Sequence, residues 1–167
     1  MKTIDFSIPK GAIFSEDRKY RYALWRVWNY TNPLLVIGLN PSTANEISDD
    51  PTITRCIARA AKLGYGSFIM ANLYAYVSTD PKVLLTDGEC IGEENDDYLK
   101  YMVRLAGKVL CGWGSFIEAK KRAGAVLKMI PTPYCLGINS DGSPKHPLYV
   151  GYDVPLVKYR VEVRIEK

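Results

Sequence analysis

The residues of this chain best suited to chemistry are two asparagines, Asn40 and Asn72, an acidic pair, Asp49-Asp50, and the single histidine, His146. An amide is no general base near neutral pH, but it can hold a water or a substrate oxygen in place. Asn40 lies in Gly38-Leu39-Asn40-Pro41-Ser42, where a turn before proline explains it equally well. Asn72 ends an apolar run and needs partners; its donor and acceptor suit the Watson–Crick edge of a base. His146 could hydrogen-bond an oxygen on which negative charge develops, although a solvated turn histidine is the commoner reading. Asp50 offers a carboxylate near the same strand exit, with helix capping as a sufficient explanation. Trp113, between Gly112 and Gly114, could be packing alone.

Other chemistries find no support. The four cysteines form no Cys-x-x-Cys pair, and with one histidine they give no zinc or iron–sulfur ligand set, so reduced, buried thiols and no cofactor are expected. There is no phosphate-binding G-x-x-x-x-G-K-[ST] and no G-x-S-x-G elbow, and Gly64-Tyr65-Gly66 precedes a strand instead of following one.

Elements must bring these residues together. Leu34 to Ser42 reads as a buried strand stopped by its Gly, Asn, Pro and Ser, and Asp50-Pro51-Thr52 as a helix start with a carboxylate cap and proline in the first turn. Ile53, Cys56, Ile57 and Ala60 form one apolar helix face, with Arg55, Arg59 and Lys62 largely off it and Gly64 as the stop. Phe68–Tyr74, Lys108–Gly114 with its glycine-flanked exit, and Tyr134–Gly137 are further strands. Helices are predicted from Asn95, as cap, through Ala106, and from Ser115, as cap, to Met129. Asp80-Pro81 opens a loop with one helical turn. The spacing predicts an α/β three-layer sandwich with a mostly parallel central sheet and antiparallel edge strands. In such a sheet Asn40, Asn72, Trp113 and His146 leave by the same edge and converge. Tyr20–Trp28 reads as a half-exposed edge strand with solvated Arg21 and Arg26; its aromatic and arginine interleaving could also bind single strands or phosphates. The alternating tail from Val157 to Ile165 is expected to be an edge strand.

At 167 residues, 47% hydrophobic and 24% charged, the chain is read as one domain over 1–167. It shows no membrane span or signal peptide, so a cytoplasmic monomer without membrane contact is expected. The net charge of +4 permits an anionic partner without requiring one.

In combination these pieces resemble a known superfamily. Gly38-Leu39-Asn40-Pro41-Ser42 resembles the first motif of the uracil-DNA glycosylases, and Lys145-His146-Pro147-Leu148-Tyr149 the second. Met70-Ala71-Asn72 looks like the strand whose asparagine reads the flipped base, and Val109-Leu110-Cys111-Gly112-Trp113-Gly114 is similar to the Leu-Trp-Gly exit. The chain is more closely similar to a domain-of-unknown-function family of bacterial and phage proteins, through Asn40–Ala44, Asp49–Thr52, Asn72–Ala75, Thr79–Pro81 and His146–Tyr149.

The glycosylase resemblance implies that a water positioned by Asn40 attacks the anomeric carbon while His146 stabilises the departing base, with Asp50 nearby. Asn72 would discriminate the base and Ser42 would contact a phosphate or the water. Leu148 or Tyr149 would fill the gap left by the flipped nucleotide. Arg55, Arg59 and Lys145 would meet the DNA backbone, as could Arg21 and Arg26. Two departures stand out. His-Pro-Leu-Tyr lacks the usual Ser-Pro, and the loop from Thr43 to Asp50 has no aromatic, so stacking would fall to Tyr74, Tyr76 or Trp113. A damaged or modified pyrimidine, in repair or in defence against phage DNA, is the substrate this implies.

Overall fold

The computed structural model describes residues 1–30, 32–85 and 89–160. Its strands are β1 (Lys10–Phe14), β2 (Arg21–Val27), β3 (Leu34–Gly38), β4 (Ser67–Asn72), β5 (Lys108–Cys111), β6 (Pro133–Cys135) and β7 (Val157–Lys158). They form a seven-stranded sheet in the order β1-β2-β4-β3-β5-β6-β7. The inner set β4-β3-β5-β6 is parallel, whereas β1, β2 and β7 pair antiparallel.

The inner strands are apolar runs because both of their faces are covered. Leu35, Ile37, Ile69, Ala71, Val109 and Cys111 enter one core, with Leu99 and Met102 of α2 (Asn95–Leu105) and Val126 of α3 (Ile117–Leu127). Their alternates Leu34, Val36, Phe68, Met70 and Leu110 enter the other core, with Ile53, Cys56 and Ala60 of α1 (Pro51–Lys62). Each fully buried aliphatic side chain contributes about 1.5–3 kcal/mol relative to exposure. Right-handed crossovers explain the sides: the chain moves one way from β3 to β4 and the other way from β4 to β5 and β6, so α1 lies opposite α2 and α3. The direction of winding therefore reverses between β3 and β5. In open α/β sheets that reversal leaves a crevice at the strands' carboxyl ends.

Helix α1 starts as its sequence predicts. The Asp50 carboxylate accepts from the Ile53 N–H at 2.9 Å, proline follows, and Gly64 ends the helix at φ +88°. The four cysteines are buried free thiols. Among the described residues no helix is long and apolar enough to cross a membrane.

Several expectations need correction. Strand β2 lies inside the sheet between β1 and β4, and Arg21 and Arg26 are 2% and 3% exposed, not solvated. Arg59 is buried as well, although it lies off the apolar face of α1 by type. Asn95 is the first residue of α2 and caps nothing; its amide donates to the carbonyls of Asn72 and Leu73. Phe116, not the exposed Ser115, holds the cap position of α3, without a side-chain bond. Strand β7 does lie at the sheet edge, but residues 161–165 of the expected tail strand are outside the described residues.

Candidate functional site

The exits of the parallel strands are knitted together past the ends of the strands themselves. The N–H groups of Leu73, Tyr74 and Gly112 donate to the carbonyls of Gly38, Leu39 and Ile37. Two glycines then let the segment 144–147 cross the β5 exit. A Cβ at Gly112 would lie 2.8 Å from Pro147 Cδ. Gly114 adopts φ +76°, strained for an L side chain, and its N–H donates to Pro144 O at 3.0 Å. The Gly-Trp-Gly spacing therefore places the histidine segment over β5, beside the β3 exit.

Asn40 is half-buried on that exit. Its Nδ2 donates to Pro41 O at 3.1 Å and Ser78 O at 3.0 Å. Both amide protons are engaged, so only Oδ1 remains, an acceptor able to orient a water or a hydroxyl. Ser42 is half-buried two residues further on.

His146 precedes the 3-10 turn Pro147–Tyr149, and its Nδ1 accepts from the Leu148 N–H at 3.2 Å. The proton of the neutral ring therefore belongs on Nε2. Burial pushes the imidazole pKa below its ordinary 6.5, with the negative charge of Asp50 pulling the other way, so the ring is neutral at pH 7. The segment is held from beneath by α1. Arg55 donates to Pro147 O and Val150 O, at 3.3 and 2.7 Å, and Arg59 to Gly151 O and Val150 O, at 3.2 and 2.8 Å. Expected on a DNA backbone, these two arginines instead have donors engaged with the loop that carries His146. Lys145 is exposed.

An open cleft of about 650 Å³ adjoins the histidine, lined by Trp113, Phe116, Asn139, Lys145, His146 and Tyr149. Trp113 is buried and packs edge-on against Tyr159, ring centroids 6.1 Å apart. Tyr149 is 83% exposed, its ring 5.7 Å from the imidazole; Leu148 is half-buried. Tyr74 is not a stacking surface. It is buried, and its hydroxyl donates to Glu118 O at 2.8 Å.

A polar cluster that sequence reasoning missed lies at the ends of β2 and β4. A register shift at Ile13/Phe14 lets the adjacent Tyr22 and Ala23 join the same core, and Arg21 reaches the other face. There Nη1 donates to Ala44 O at 3.0 Å and Nη2 to Asn72 Oδ1 at 3.5 Å. Desolvation pulls the guanidinium pKa down to about 10, with the charge of Asp50 opposing, so it stays protonated at neutral pH. Asn72 is 1% exposed and pairs in register with Gly38. Among the described residues Arg21 Nε and Asn72 Nδ2, like Arg59 Nε, are buried donors without a partner. The one visible sign was an arginine at the start of an apolar strand, a pattern it shares with any solvated edge. Asp50 links the parts electrostatically, since its charge reaches both Arg21 and His146. Among the described residues, no group of three or more His, Cys, Asp or Glu side chains could hold a metal ion.

The fold is that of a doubly wound α/β protein, with an amide at the β3 exit, a buried guanidinium beside the end of β4, and a neutral imidazole at a cleft by the β5 exit. The chain belongs to the family described as "Protein of unknown function (DUF1643)", which matches residues 21–148, from Arg21 to Leu148 of the site. No curated protein and no solved structure matches it.

Proposed function

We propose that this protein has a uracil-DNA glycosylase-like fold and hydrolyses the N-glycosidic bond of a flipped, damaged or modified pyrimidine in DNA, leaving an abasic site. A water oriented by Asn40 Oδ1 bonds to the anomeric carbon as the carbon–nitrogen bond breaks. The bonding pair leaves with the base, whose carbonyl oxygen takes the developing charge and accepts from His146 Nε2–H. The base is then protonated from solvent as the bound water gives up its proton. Asp50 supplies negative charge beside the oxocarbenium-like centre. Trp113 lines the cleft that takes the base, exposed Tyr149 with Leu148 fills the vacated stack, and Ser42 and Lys145 contact phosphate.

The observation that carries this reading is the Leu148 N–H donating to His146 Nδ1, from which the neutral ring keeps Nε2–H as its donor. Abasic-site formation on oligonucleotides carrying uracil, oxidised, hydroxymethylated and glucosylated pyrimidines tests it, read as strand scission in alkali. Scission should fall about 10²–10³-fold in His146→Ala and be lost in Asn40→Ala. No scission on any substrate by the folded protein sinks the activity.

A second reading draws on the engagement of Arg21, Arg26, Arg55 and Arg59 within the protein. With those donors withdrawn from DNA, a free modified nucleotide becomes the alternative substrate. Affinity for DNA that falls steeply with salt favours the first reading, and a flat salt response with turnover of nucleotides the second.

A further inference from the structure

Arg21 and Asn72 are both buried, hydrogen-bonded to each other, and each left with a donor that no group among the described residues satisfies. An unsatisfied buried donor costs about 1–3 kcal/mol, and two on neighbouring side chains call for an acceptor. The amide has only one sensible orientation here. A guanidinium attracts a carbonyl oxygen and repels an N–H, so Oδ1 faces Arg21 and Nδ2 faces away, even though the bond is long at 3.5 Å. Beyond Nδ2 lies Gly38, where a Cβ would come within 3.0 Å of it. The same Cβ would meet Met70 Cε at 2.6 Å, the tip of a flexible thioether that can yield to a ligand. Arg21 is anchored in turn through Ala44 O, in the loop between Asn40 and Asp50.

We infer that Arg21 is the specificity-setting residue of the site: by holding Asn72 Oδ1 it leaves the amide with donors only, so the site selects a ring that offers a carbonyl oxygen there and rejects one that offers an exocyclic amine. Freed of Arg21, an asparagine rotates its amide and accepts either edge. This rests on the proposal that the site takes a nucleobase, but not on catalysis. Arg21 is a positioning residue, since it acts through Asn72.

The test uses oligonucleotides with 2′-fluorinated, hydrolysis-resistant 5-hydroxymethyluracil or 5-hydroxymethylcytosine, which differ at the 4-carbonyl or 4-amine and its adjoining ring nitrogen. Wild type should bind the uracil form roughly tenfold or more tighter. Arg21→Met should bring that ratio close to one. Asn72→Asp, which pairs with Arg21 and offers acceptors only, should invert it, and gives an independent test if Arg21→Met fails to fold. An unchanged ratio in a folded variant, or no preference in wild type, overturns the inference. The two proposals fail separately. Discrimination in binding without abasic-site formation sinks catalysis alone, and abasic-site formation with a ratio indifferent to Arg21 and Asn72 sinks this inference alone.

Discussion

Arg21 and Arg26 lie five residues apart on the same strand and are almost equally buried, yet they do opposite things. Every guanidinium nitrogen of Arg26 is engaged. Nε donates to Asp49 at 2.8 Å, Nη1 to Trp25 O and Gly11 O, and Nη2 to Asn45 O and Ser48 O. It fastens the loop before α1 to β2. Among the described residues Arg21 makes no direct contact with a carboxylate, one short bond to a carbonyl and one long bond to an amide, and its Nε has no partner. A fully satisfied buried cation is a structural pin. A half-satisfied one keeps donors to which, on the inference above, a ligand would supply the acceptor.

The contrast can be broken by mutation. Arg26→Met leaves Asp49 and four carbonyls without their donor and should destabilise by about 3 kcal/mol, read from the urea midpoint at constant slope. Arg21→Met removes a desolvated cation that satisfies little, and should stay within about 1 kcal/mol of wild type. Equal losses from the two would erase the distinction.

The same division runs through His146, whose Nδ1 is satisfied while Nε2 has no partner among the described residues. Because burial lowers its pKa in the fold, the unfolded chain takes up a proton first as pH falls from the ordinary value of 6.5. The stability tied to the neutral ring is thus complete above 6.5 and declines below it, towards the depressed pKa of the folded state. Urea midpoints from pH 7.5 to 5 should show that decline, and His146→Gln should flatten it. As the chain's one histidine, it gives an unambiguous ¹⁵N spectrum, which should show Nε2 protonated at pH 7; protonation on Nδ1 would contradict the Leu148 contact. The smallest effect belongs to Asp50→Asn. Asparagine caps as well as aspartate, so stability should change by less than about 0.5 kcal/mol. Loss of the charge should nonetheless move the His146 pKa further down in the same titration.

Much of the frame was legible because it depends on local rules. Apolar runs such as Leu34–Ile37 and Phe68–Ala71 state that both faces are covered, and Asp50-Pro51 states where a helix begins. Parallel strands then oblige their exits to share an edge, which is why Asn40, Asn72, Trp113 and His146 are expected there without knowing the strand order. The errors cluster on long polar side chains. Arg21, Arg26, Arg55 and Arg59 read as solvated or phosphate-facing because an arginine looks the same in sequence whether water or carbonyls surround it. Asn95 read as a cap for the same reason: its partners, the carbonyls of Asn72 and Leu73, lie 23 and 22 residues away.

By itself, then, the order of residues determined the alternation of strands and helices, the parallel centre, and the edge from which the polar groups emerge. These follow from periodicity, capping and the handedness of crossovers. Only the tertiary structure decided which polar atoms are satisfied. Pinning the His146 loop falls to Arg55 and Arg59, and an incomplete partnership to Arg21 and Asn72. Hydrogen-bond satisfaction in a folded core depends on carbonyls contributed by distant segments, and those positions exist only once the sheet and its crossovers have assembled.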